Sequence, residues 1–271
     1  MDASSSSGSI DGVDPVRASL DGPLLVLELA RPETGNALAA DLVGALTAAI
    51  VAAPHGGARA VVVTGAGKHF CTGADLGELA RLQDASPEER LADAGHLAAL
   101  YAAVLRCPLL TVAALRGAAY GGGLGLAGAC DLVIAAPDAR LQFSEVRLGF
   151  VPALISVFLP RRVPPARLAR LFLDPEPLDA AGGLAVGLVD EVADDPLARA
   201  RERVRAFAGK TSRAAIAATK RLALDNALPR LDAQLAHAAQ VNADQRDDPE
   251  CRRGVAHFLA HRTFPDWSGE P

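Results

Sequence analysis

Four short apolar runs set the tightest limit on the fold: LLVLELA at 24–30, ARAVVVTG at 58–65, PLLTVAAL at 108–115 and DLVIAA at 131–136. They are close to continuously apolar, where a strand with one wet face would alternate. Runs of this kind mark strands buried on both sides, the usual condition of a parallel sheet covered by helices. The segments between them carry helical signals. Asn36 stands as an N-cap, with Leu38, Leu42, Leu46 and Ile50 recurring every four residues behind it. A short helix is expected from Asp75 and a longer amphipathic one from Pro87 to Leu105. The pattern predicts an α/β fold with mostly parallel pairing.

The last third changes character. DDPLARARERVRAFAGK, TSRAAIAATKRLALDNAL and RLDAQLAHAAQVNADQ read as helices, with a break at Gly209–Lys210–Thr211. At the other end, MDASSSSGSIDGVD has neither the basic nor the apolar segment of a secretory signal, and its Ser/Gly/Asp content reads as a disordered tail. The expected division is a tail over 1–15, an α/β core over 16–196 and a helical region over 197–271. No repeat of 20–50 residues is visible.

Charge and cysteines exclude several classes of function. Lys and Arg total 27 against 32 acids, a net charge of −5, so nothing favours nucleic acid or an anionic membrane as partner. The uncharged stretch Gly117–Cys130 is too short and too rich in glycine to span a bilayer. A cytoplasmic location is expected. Cys71, Cys107, Cys130 and Cys251 have neither zinc-ligand nor disulfide-framework spacing and read as small buried hydrophobes. No metal is expected.

The glycines of AAYGGGLGLAGACDLVI (118–134) need a purpose. Gly123, Gly125 and Gly128 satisfy G-x-G-x-x-G, and GAGKHF at 65–70 hints at a P-loop. The P-loop fails, because His69 stands where Ser or Thr must meet Mg²⁺ and Val62 where the first glycine belongs. The dinucleotide reading is better: a strand precedes the cluster, and Glu145 follows at a suitable distance. Against it, the motif lies mid-chain, Glu145 follows the turn PDARLQFS, and Gly121 and Gly122 have no role in that scheme. Glycines that permit close packing are the stronger reading.

Four segments together resemble the crotonase, or enoyl-CoA hydratase/isomerase, superfamily. They are RPETGNALAADLVGAL, VVVTGAGKHFCTGADLGEL, the stretch from PLLTVAALRGAAYGGGLGLAGAC through FSEVRLGFVP, and GVAHFLAHRTFPDWSG, running in order from Leu24 to Trp267. The resemblance implies a spiral of ββα turns followed by a C-terminal helical region that serves trimerisation. It implies assembly as a homotrimer or dimer of trimers. It also implies an acyl-CoA thioester as substrate, with no other cofactor, and an enolate intermediate whose charge gathers on the thioester oxygen. By motif position the two amides that meet this oxygen are those of Ala74 and Gly122, with a helix beginning just after Gly122.

Of the two glutamates used by the best-known hydratases, one maps to Glu145; the position of the other holds Gly125. Asp75 and Asp131 are expected to cap or to hydrogen-bond structurally, and His69 and His96 to be ordinary. SEVRLGFVPALIS and RLFLDPEPLDAAGGLAVGLVDEV are similar to methylglutaconyl-CoA hydratase-like members, while the standard branch has PGAGGT in place of PALISV. The first reading is therefore an enoyl-CoA hydratase using Glu145 as general acid/base. The alternatives are a Δ3,Δ2-enoyl-CoA isomerase, for which one carboxylate suffices, and an acyl-CoA-binding homologue without turnover. Lys68 and Arg31 are candidates for the CoA phosphates, and Arg147 for a carboxylate on the substrate.

Overall fold

The computed structural model describes residues 14–269. Its main sheet has six strands in the order β1 (Val16–Asp21), β2 (Leu24–Leu29), β3 (Ala60–Gly65), β4 (Leu110–Leu115), β6 (Leu132–Ala135) and β8 (Glu191–Val192). Only β1 and β2 are antiparallel, joined through Gly22 at φ 57°; every later pairing is parallel. The four apolar runs form β2, β3, β4 and β6, and they are buried on both faces. Leu27, Leu29, Val61, Val63, Ala113, Leu115, Val133 and Ala135 face the larger core. Leu24, Val26, Ala60, Val62, Val112, Ala114 and Ile134 face a smaller one, closed by Ala200 and Val204. Full burial of one Val or Leu contributes roughly 1.5–3 kcal/mol, so helices are needed on both sides.

A second, shorter layer of pairing gives the chain its spiral. β5 (Ala118–Tyr120) pairs in parallel with β7 (Arg140–Gln142), and bridges link Leu38 to Ala74, Cys71 to Ala119 and Leu141 to Leu178. Strands of the main sheet thus lead into this layer, and three of these passages continue into helices: α1 (Ala40–Ala52), then α2 (Leu76–Gln83) with α3 (Pro87–Arg106), then α4 (Gly121–Ala129). The architecture is the expected α/β spiral of ββα turns.

After β7 come α5 (Ala153–Phe158), α6 (Pro165–Leu173) and α7 (Ala180–Val186), and after β8 the helices α8 (Pro196–Ala208), α9 (Arg213–Ala227), α10 (Leu231–Gln245) and α11 (Pro249–His261). α8 supplies Ala200 and Val204 to the smaller core, α10 packs on α3 and α5, and α11 on α2 and the 145–148 turn. Residues 1–13 of the expected tail lie outside the described residues, while the Pro15 carbonyl accepts the Ala30 N–H at 2.8 Å.

Asn36 is not an N-cap. α1 starts at Ala40 behind Ala39, without a side-chain cap. Asn36 is fully buried at φ 56°, donating to the carbonyls of Ala66 (2.9 Å) and His69 (2.8 Å) and accepting from the Arg31 N–H. It therefore ties the first spiral turn to the loop after β3. Leu42, Leu46 and Ile50 are buried as expected, whereas Leu38 precedes the helix.

Candidate active site

A cavity of about 870 Å³ opens where the loop before α2, the start of α4, the 145–148 turn and the C-terminal helices meet. Its chemistry begins with α4. The first-turn N–H groups have no intrahelical acceptor, and Tyr120, which precedes the helix, offers no side-chain cap to replace it. Each glycine of this turn admits a different neighbour. A Cβ on Gly121 would lie 3.0 Å from Glu145 Oε1, one on Gly122 would lie 2.9 Å from the Tyr101 hydroxyl, and one on Gly123 would strike the Cys71 carbonyl.

The opposite wall of this corner is the Gly73–Ala74 segment. Gly73 has φ 93°, and a Cβ there would sit 3.6 Å from the Gly122 nitrogen, so the two backbones run side by side. Among the described residues neither the Ala74 nor the Gly122 N–H has a protein acceptor. Two contacts hold this segment and a third holds the loop that leads into it. The Leu38 N–H donates to the Gly73 carbonyl at 2.8 Å, Asp75 caps α2 by accepting the Glu78 N–H at 3.0 Å, and the Ala118 N–H donates to His69 Nδ1 at 3.1 Å. That last bond needs a neutral imidazole. Burial, and then the charge of Lys68, keep His69 below its ordinary pKa.

Glu145 opens a single 3-10 turn, Glu145–Leu148, that ends at Gly149 with φ 67°. The C-terminal helices clamp this turn. Gln245 donates to the Gly149 carbonyl at 3.0 Å, the Trp267 indole donates to the Arg147 carbonyl at 3.2 Å, and Gly254 lets α11 approach the Leu148 carbonyl. The clamp points the Glu145 carboxyl across Gly121. The residue is half-buried because it borders the cavity, yet its Oε2 is fully buried with no hydrogen-bond partner among the described residues. Desolvation therefore pushes its pKa up to about 7, against a smaller opposing effect of its own backbone N–H.

Tyr101, buried on α3, donates its hydroxyl to the Gly122 carbonyl at 2.9 Å, and its ring packs against Phe158 with centroids 5.2 Å apart. Burial holds the phenol well above its ordinary pKa, so it stays a neutral donor. One turn along α4, Gly125 faces no carboxylate. A Cβ there would run into Ile155 Cγ2 and lie 3.5 Å from the Tyr101 hydroxyl. Ile155, from PALISV, occupies that space.

The candidate cations lie elsewhere. Lys68 is exposed on its loop and Arg31 pairs with Asp41; neither lines the cavity. Arg147 does not line it either, because the tight turn carries it away from Glu145 and its guanidinium stacks 3.7 Å above the Phe264 ring. Two other arginines border the cavity: Arg262, just past α11, and Arg246, just past α10, which with Asn242 is buried, at 4% and 5% exposure. Sequence reasoning passed over Asn242 and Arg246, since a polar pair at a helix end reads as a wet face. Asp131 has the expected structural role, accepting from the Thr111 N–H and hydroxyl and pairing with Lys220. All four cysteines are buried; burial raises Cys71 and Cys130 to about 12.

The chain is similar to known proteins in sequence and in fold. Residues 21–270 match the family model described as enoyl-CoA hydratase/isomerase. A Thermus thermophilus protein named for enoyl-CoA hydratase activity is 37% identical over 249 residues, covering 89% of this chain and 96% of its own. The cyclohexa-1,5-dienecarbonyl-CoA hydratase of Thauera aromatica is 34% identical over 218 residues, 79% of this chain and 81% of its own. The crystal structure of an enoyl-CoA hydratase from Mycobacterium avium superposes with a TM-score of 0.82 at 30% identity, covering 95% of this chain and all of that one.

Proposed function

The chain belongs to the enoyl-CoA hydratase/isomerase family of enzymes, and on that premise we propose that it hydrates a 2-enoyl-CoA thioester with Glu145 as its only acid/base. The observation that carries this reading is the Glu145 carboxyl, buried, unpartnered at Oε2 and laid across the turn that presents the Gly122 N–H. The thioester oxygen accepts from the Ala74 and Gly122 amides, whose donors are each worth about 3–4 kcal/mol in comparable sites. As a water oxygen bonds to C3, Glu145 takes a proton from that water and charge moves onto the thioester oxygen. The enolate then collapses, and Glu145 returns the proton to C2. Atoms and charge balance with one carboxylate.

A second reading has its own support. Ile155 fills the space beside Gly125, leaving no room for a second carboxylate, and a single carboxylate can also carry a proton from C4 to C2 of a 3-enoyl-CoA. Absorbance separates the two. Hydration removes the conjugated thioester chromophore of crotonyl-CoA, whereas isomerisation creates one from a 3-enoyl-CoA. Loss of the crotonyl-CoA signal with no gain from the 3-enoyl ester supports the hydratase. The family resemblance also supports assembly through residues 197–271 into trimers or dimers of trimers, which sedimentation of the full chain tests.

A further inference from the structure

Asn242 and Arg246 line the same cavity as the apolar side chains of Leu79, Leu97, Val255 and Leu259. A buried amide in such surroundings needs a partner at each end. At one end Asn242 has one: its Oδ1 accepts from Arg246 Nη2 at 2.9 Å and from Nε at 3.3 Å. Arg246 Nη1 lies 2.8 Å from Asp93, an ion pair that balances its charge without hydrogen-bond geometry, while Nε and Nη2 are the atoms held by Asn242. This fixes the amide. Turned over, it would set its NH₂ against two guanidinium donors. The NH₂ end therefore faces away from Arg246; among the described residues it has no protein acceptor, and it is not sealed from solvent, in a residue that lines the cavity.

From this we infer that the acyl group of the natural substrate carries an oxygen acceptor (a hydroxyl, oxo or carboxylate group) beyond the reacting carbons, and that Asn242 donates to it. The inference rests on the acyl-CoA reading above and adds the chemical class of the tail. A plain hydrocarbon tail strips water from this NH₂ and gives nothing in return, whereas an oxygen at the right distance restores the bond. Because Asp93 already balances Arg246, the site selects a hydrogen-bond acceptor and does not require an anion.

The test uses the full-length protein and non-reacting saturated esters. Calorimetric Kd values are compared for butyryl- to octanoyl-CoA and for their terminal hydroxy, penultimate oxo and terminal carboxy counterparts. The expected result is that, at one chain length, an oxygenated ester binds about tenfold more tightly than its parent. Asn242→Asp keeps an acceptor for Arg246 but removes the donors, and should bring the oxo ester, which cannot donate to the new carboxylate, within about twofold of its parent when the two are compared within the variant. The inference is overturned if no oxygenated ester outbinds its parent in the wild type, a comparison that needs no variant, or if Asn242→Asp keeps the preference for the oxo ester. Failure of every ester to bind would instead remove the acyl-CoA reading itself.

Discussion

Gly121 and Gly125 lie one turn apart on α4, and both leave a gap that a neighbour enters. At Gly121 the neighbour is the Glu145 carboxyl; at Gly125 it is a methyl group of Ile155. The same residue type, on the same helix, borders a charged group at one site and hydrocarbon at the other. Glycine supplies the space, and a distant element decides the chemistry: the 145–148 turn in one case, α5 in the other. The G-x-G-x-x-G spacing is accordingly no dinucleotide signature here. Its middle glycine stands against Ile155, and Gly121 and Gly122, which line the cavity, lie outside the motif.

Breaking the Gly121 side has the largest expected effect. Glu145→Gln keeps the shape over Gly121 but cannot exchange a proton, so turnover should fall by about 10²–10⁴-fold. Acyl-CoA Kd should stay within about threefold, since the amides of Ala74 and Gly122 are untouched. Steady-state kinetics and calorimetry on one preparation check both halves.

The Gly125 side breaks differently. Gly125→Glu alone drives a side chain into Ile155 and should destabilise the fold by about 1–3 kcal/mol, read from urea unfolding. It should add no activity. Pairing it with Ile155→Gly opens the space and should recover part of that loss at the overpacked site. A stable, more active Gly125→Glu single variant would show that Ile155 moves aside freely and would dissolve the contrast between the two glycines.

A smaller effect is expected where the two sites meet. The first turn of α4 is built of three glycines, each about 1 kcal/mol less favourable in a helix than alanine, so it needs support from outside. Tyr101 gives that support through the Gly122 carbonyl. Tyr101→Phe removes the hydroxyl and keeps the ring on Phe158. We expect kcat to fall by about tenfold with KM within about twofold, because in the proposed mechanism the loss falls on the amide that meets developing charge. A change confined to KM would instead make Tyr101 a wall of the pocket.

The sheet was legible because its strands are buried on both faces and therefore nearly continuous in hydrophobicity; β1, an exposed edge reading VRASLD, was not. Asn36 looked like a helix cap because caps are local, while its carbonyl partners lie thirty or more residues on, at Ala66 and His69. Glu145 was singled out by resemblance alone. The turn that sets its unpartnered Oε2 is clamped by residues from α10 to Trp267, far along the chain, which no local pattern records. Arg147, two residues away, illustrates the limit of neighbourhood in sequence, since one tight turn sends it to Phe264. The substitution of PALISV for a glycine-rich segment was visible, but that its Ile155 fills the gap at Gly125 became plain only from packing.

The central claim is that one desolvated carboxylate carries the proton, and the pH dependence of kcat/KM for the enoyl-CoA substrate tests it most directly. In either direction of chemistry Glu145 must start ionised to receive a proton. Its pKa is raised from 4.5 to about 7, so activity should be low at pH 5, rise through an inflection near 7 and level off above it. A profile that is flat from pH 5 to 9, or that inflects near the ordinary carboxylate value, would contradict the account.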